Sequence, residues 1–136
     1  MPRMSSHDWL QEFLRAKGGV AGTVHRVVAD DLMELDAAVN IPETVQRATQ
    51  RIPRGKGMAG IAMAEDRCVS TCSLRADTSG AVQPGALAVD ATAAVAIPVH
   101  DGDGRVRAVV GIAWAGQRAL GDVERAELTR AAGALP

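Results

Sequence analysis

RIPRGKGMAGIAMAEDR, residues 51–67, decides the fold, because its three glycines and its run of small apolar residues fit neither an ordinary helix nor an ordinary strand. Gly55, Gly57 and Gly60 mark positions where the backbone needs a positive φ or a close approach to another element. Met58 to Glu65 then reads as a short helix packed through Ala59, Ala62 and Met63, entered from the glycine turn. The glycines also spell G-x-G-x-x-G, but a dinucleotide site needs a hydrophobic strand directly before that motif and a crossover helix after it. Here Pro42 to Gln50 is polar, Pro53 interrupts the approach and the following helix is short, so the motif lacks its context. A Walker loop fails as well: Gln50 stands at its first glycine position, and Gly57 stands where Ser or Thr must follow the lysine.

Before this stretch, Ser5 or Ser6 caps a helix to about Lys17, with Trp9, Leu10, Phe13 and Leu14 as its apolar stripe and Gly18-Gly19 as its end. Val20 to Val28 and Leu32 to Val39 read as a hairpin turned at Ala29-Asp30-Asp31, and Pro42 to Gln50 as one or two helical turns. After it, Cys68 to Ser73 is a short β-branched strand. Leu74 to Ala91 follows, a connection longer than most ordered ones in a compact domain. Thr92 to His100 and Arg105 to Ala115 are the strongest strand signals, joined by Asp101-Gly102-Asp103-Gly104, and are expected at the centre of the sheet. Gly121 or Asp122 caps a last helix to about Leu135, amphipathic through Val123, Ala126, Leu128, Ala131, Ala132 and Leu135. This order predicts one α+β domain over residues 1–136, with a mainly antiparallel sheet and both terminal helices on one face.

Composition narrows the function. Hydrophobic residues make up 47% of the 136 positions, enough for a core, yet aromatics are only 2% and tyrosine is absent, so Val, Ile, Leu, Ala and Met must build it. Single-stranded nucleic-acid binders stack bases on exposed aromatics, and only Trp9, Phe13 and Trp114 are available, which argues against that class. Fifteen basic and 16 acidic residues, mixed along the chain with a net charge of -1, give no footprint for DNA or an anionic membrane. No apolar run reaches the about 18 residues that span a bilayer, and His7 and Asp8 replace a signal segment, so a cytoplasmic location is expected. Two cysteines are too few for a secreted disulfide framework.

The ordered motifs resemble those of a GAF domain: Ile52-Pro53-x-Gly55-x-Gly57-x-x-Gly60-x-Ala62, then Val69-x-Thr71, then Ala94-x-Ala96-Ile97-Pro98-Val99, then Gly104-x-Val106-x-Ala108-Val109-Val110-Gly111-Ile112 and a closing helix. The match runs over about residues 6–135. The resemblance implies a central antiparallel sheet of five or six strands, terminal helices on one face that commonly dimerise, and loops with a short helix enclosing a small-molecule pocket on the other. It also implies a proline within a strand, matching Pro98. The chain is similar to the free methionine sulfoxide reductase branch in the glycine segment and last hairpin. That branch's cysteine falls on Ala59, and its substrate-holding acidic residues on Ala94, Gly111 and Ala113, so its catalytic residues are missing.

Cys68 and Cys72 remain as a redox pair to weigh. In a strand, positions i and i+4 lie about 13 Å apart at ~3.3 Å per residue, against the roughly 7 Å a disulfide tolerates. Buried thiols serving as small hydrophobes are the simpler account. His7, His25 and His100 have no short spacing to one another or to the cysteines, so no zinc site is expected, and no cofactor either. Alternation in the last hairpin is more informative. Val95, Ile97, Val99, Val110, Ile112 and Trp114 form a bulky face expected to meet the helices carrying Trp9, Phe13, Val123 and Leu128. Ala94, Ala96, Val109, Gly111 and Ala113 form a nearly flat one. Small residues there fit either close packing of the short helix or a mostly apolar pocket.

The reading that follows is a non-enzymatic sensory module whose site comprises Met58, Ala94, Ala96, Gly111 and Ala113, with Cys72, Arg75, Asp77 and Ser79 from the long connection. An unidentified small molecule would be its ligand, Lys56 beside the glycines another point for an anion, and a separate partner its output. A thiol-dependent reductase with Cys72 attacking and Cys68 resolving is the alternative. The Trp9, Leu10, Phe13 and Leu14 stripe and the alanine-rich closing helix predict a homodimer. The competing account is that Trp9 and Phe13 roof the monomer core beside Trp114.

Overall fold

Ser5 starts the first helix as expected: its hydroxyl accepts the Asp8 amide at 3.1 Å, and α1 runs Ser6–Lys17 until Gly18 turns left-handed at φ 73°. A computed structural model describes residues 4–71, 93–116 and 120–136. After α1 come β1 (Ala21–Ala29), β2 (Leu32–Val39), α2 (Glu43–Ala48), β3 (Arg51–Pro53), α3 (Gly57–Glu65), β4 (Val69–Thr71), β5 (Ala93–His100), β6 (Val106–Trp114) and α4 (Asp122–Ala132). Among the described residues the strands form one six-stranded sheet in the order β3-β2-β1-β6-β5-β4, every neighbouring pair antiparallel. None of the described helices is long and apolar enough to cross a membrane.

Three expectations need correction. The last hairpin is not itself the centre: β1 and β6 are the middle strands, and β5 lies one strand from the edge. Arg51–Pro53 is not irregular but a strand, held because Leu32–Glu34 offers it a ladder. Val123, 75% exposed, and Ala126 face outward instead of the core, and Leu120, just ahead of α4, is buried in their stead. Pro98 fits its strand because β4 pairs only with 94–96, so β5 is itself an edge beyond that point and loses no ladder donor there.

Both terminal helices cover the bulky sheet face. Leu10, Phe13 and Leu14 of α1 and Leu128 and Ala132 of α4 share one core with Val24, Val95, Ile97, Val110, Ile112 and Trp114. The helices run antiparallel: Ala16 and Lys17 border a groove with Val123 and Leu128 at one end. At the other end Arg26 donates to both the Ser6 hydroxyl and the Pro136 carbonyl.

On the flat face α3 packs through Ala62 and Met63 against Met33, Val69, Ala96 and Val109. The glycine segment sets its height above the sheet. Gly55 and Gly57 take φ of 85° and 69°, conformations that side chains strain against. Gly60 serves by close approach instead: a Cβ there would stand 2.6 Å from the Pro53 carbonyl oxygen. The Gly55 amide donates to the Gly60 carbonyl at 2.8 Å, and the Arg54 guanidinium donates to the Ala64 carbonyl at 3.1 Å, so the turn and its helix form one unit.

Candidate functional site

Strand pairing arranges the flat face in rows. Ala21, Ala113 and Ala94 lie side by side in the first, Thr23, Gly111 and Ala96 in the second, and His25, Val109 and Pro98 in the third. The body of α3 covers Val109 and Ala96. Toward the first row the helix begins, and between its first turn and the floor lies a cleft of about 140 Å³. Met58 and Ala59 and, from the segment before α2, Ile41 stand around this floor of alanines and Gly111.

Among the described residues, the one side-chain hydroxyl on this lining belongs to Thr23, and no charged side chain reaches it. The hydroxyl occupies space that Gly111 leaves open, 2.8 Å from where a Cβ of residue 111 would sit. Met58, Ala94, Ala96, Gly111 and Ala113 thus come together around one cavity. Cys72, Arg75, Asp77 and Ser79, and the connection that carries them, lie outside the described residues. Lys56 caps α3, is exposed and does not line the cleft. Thr23 and Ile41 are not among the residues the sequence points to: β1 joins β6 through a register that no local pattern encodes, and Ile41 lies in the short link between β2 and α2.

His25, in the row behind Thr23, is buried, and its Nε2 lies 2.8 Å from the Thr49 carbonyl at the end of α2. A carbonyl only accepts, so Nε2 carries the proton, and Nδ1 remains buried without a hydrogen bond. Burial pushes the His25 pKa below its ordinary value, against the opposing pull of the Thr49 carbonyl.

Cys68 is on the other side of the sheet. Its sulfur lies 3.3 Å from the Thr129 hydroxyl of α4 and packs against the helix-side core, while the next residue, Val69, packs under α3. The thiol therefore does not face the cleft.

No protein-family model matches the chain, and no curated protein matches it by sequence. Solved structures do match. The GAF domain of a phosphoenolpyruvate-protein phosphotransferase from Coxiella burnetii aligns with a TM-score of 0.71 at 15% identity, over 90% of this chain and 73% of that one. The GAF domain region of a Geobacter sulfurreducens protein aligns with 0.76 at 12% identity, over 94% and 85%. A type II free methionine-R-sulfoxide reductase from Thermoplasma acidophilum aligns with 0.63 at 16% identity, over 89% and 88%. The chain has the GAF fold. Among these structures the same fold occurs as a domain of a phosphotransferase and as a reductase, so the fold alone does not give the function and the residues of the cleft must.

Proposed function

We propose, starting from the GAF fold, that the protein is a small-molecule-binding sensory module that performs no chemistry on its ligand. The observation that carries this reading is the cleft over the flat sheet face, lined by Met58, Ala59, Ala94, Ala96, Gly111 and Ala113. None of these side chains supplies a nucleophile, an acid or a base; Thr23 adds a hydroxyl, and among the described residues the lining holds no base to activate it. The position of Cys68 behind the sheet supports the same reading over a two-thiol reductase, because a resolving cysteine must reach the sulfur that attacked the substrate.

The test is a thermal-shift screen of the chain against pooled metabolites and cell extract. A ligand at 100 times its Kd stabilises by about 2.7 kcal/mol, a readily measured rise in Tm. The rise should vanish in Ala94→Leu, which fills the cleft from its floor. A Tm indifferent to every pool would overturn the proposal.

The module acts as a homodimer whose output passes to a separate partner. Leu10, Phe13 and Leu14 are spent on the monomer core, whereas Trp9, stacked on Phe13 with ring centroids 5.0 Å apart, is only part-buried. Val123 is exposed beside the groove between α1 and α4. A second copy laid across these helices would bury both in a four-helix layer with two-fold symmetry. Light scattering at tens of micromolar should give the mass of a dimer, and Trp9→Glu a folded monomer. A monomer mass for the native chain would rule the dimer out.

A further inference from the structure

Resting on the binding role proposed above, we infer that the cleft takes an uncharged, ring-shaped molecule of about the size of phenol, bearing one hydroxyl or carbonyl that bonds to Thr23. Volume sets the size: the cleft measures about 140 Å³. An enclosed engineered apolar cavity of about 150 Å³ takes up benzene, which sets the scale for this more open cleft. Shape follows from the floor. Ala94, Ala113 and Gly111, each only part-buried, present methyl groups and bare backbone, a surface on which a flat ring can lie beside Met58, whose polarisable thioether suits an aromatic edge. The described lining carries no countercharge, which favours a neutral ligand, since an ion moved there exchanges its hydration for alanine.

Thr23 fixes the polar end of the ligand. Among the described residues its hydroxyl has no hydrogen-bond partner, and it can both donate and accept, so an alcohol, a phenol and a carbonyl are all acceptable. Gly111 leaves that hydroxyl its room at the floor, since a Cβ on residue 111 would stand 2.8 Å from it.

The experiment titrates phenol, benzene and benzoate separately into the full chain, read by calorimetry and thermal shift. Phenol should bind about five-fold more tightly than benzene, the factor given by one ordinary hydrogen bond of roughly 1 kcal/mol. Benzoate should not bind. Thr23→Val should bring phenol down to the benzene affinity and leave benzene unchanged. Ala94→Leu and Ala113→Leu, each checked for native circular dichroism, should abolish both. If benzoate or a zwitterion such as methionine sulfoxide raises Tm, and either filling variant removes the effect, the cleft binds ligands but the neutral class is wrong. If neither these compounds nor the metabolite pools move Tm in any folded variant, the binding role itself fails. Equal affinity for phenol and benzene in the native chain would sink the assignment to Thr23.

Discussion

Trp114→Ala should destabilise the protein by about 3–5 kcal/mol, measured as a fall in the urea midpoint. Trp114 is 3% exposed and lies within the core that β5, β6, α1 and α4 share. Its indole N–H donates to the Lys17 carbonyl at 3.0 Å, one of the acceptors that the end of α1 leaves without an intrahelical partner. Alanine would remove the buried ring, open a cavity and release the helix end from β6 together. Domains of this kind are stable by only about 5–15 kcal/mol, so much of the margin would go. Trp114→Phe keeps most of the burial and should lose about 1 kcal/mol, the net worth of one hydrogen bond. A loss under 1 kcal/mol for the alanine variant would show that the two helices are fixed without this residue.

Stability should also fall as pH drops below about 6.5, because of His25. In the unfolded chain its imidazole titrates at the ordinary 6.5, while in the fold burial holds its pKa lower. The contribution is therefore fully present above 6.5. Below it the unfolded state takes up a proton that the native state refuses, and stability is lost until the folded pKa is passed. One proton gives a slope of at most about 1.4 kcal/mol per pH unit. Asp36 and Asp101 act in a separate window. Burial opposes ionisation of Asp36, but hydrogen bonds from Ser6 and Arg26 and the charge of Arg26 outweigh it. Backbone amides of Arg105 and Asp103 hold Asp101 down. Both start from 3.8, so their effect is lost only in stronger acid. His25→Gln, whose amide can still donate to the Thr49 carbonyl, should flatten the curve between pH 7 and 5. An unchanged curve would exclude His25 as its source.

The parts of this structure that were legible in the sequence are those that local chemistry dictates. Bulky and small residues alternate through 93–100 and 106–114, and that alternation fixed which face meets helices and which carries the cleft. The glycines of the 51–67 stretch answer backbone requirements, two through φ and the third through contact. What stayed hidden depends on partners distant in sequence. Arg51–Pro53 has no strand signal of its own and becomes one only beside β2. Val123 has the right period for the core but yields to Leu120, which precedes the helix and so escapes any periodic count. Thr23 enters the cleft because β1 pairs with β6, and that pairing decides which of its side chains stand beside Gly111.

The first edge of the sheet has a consequence for behaviour in a crowded solution. β3 is three residues long, begins with an arginine and ends in a proline that has no N–H to offer. A stray chain arriving there finds almost no template to extend, whereas a long, flat, hydrophobic border would seed fibrils. Pro53 thus serves twice: its carbonyl is the surface on which Gly60 rests, and its ring blunts the rim against runaway polymerisation.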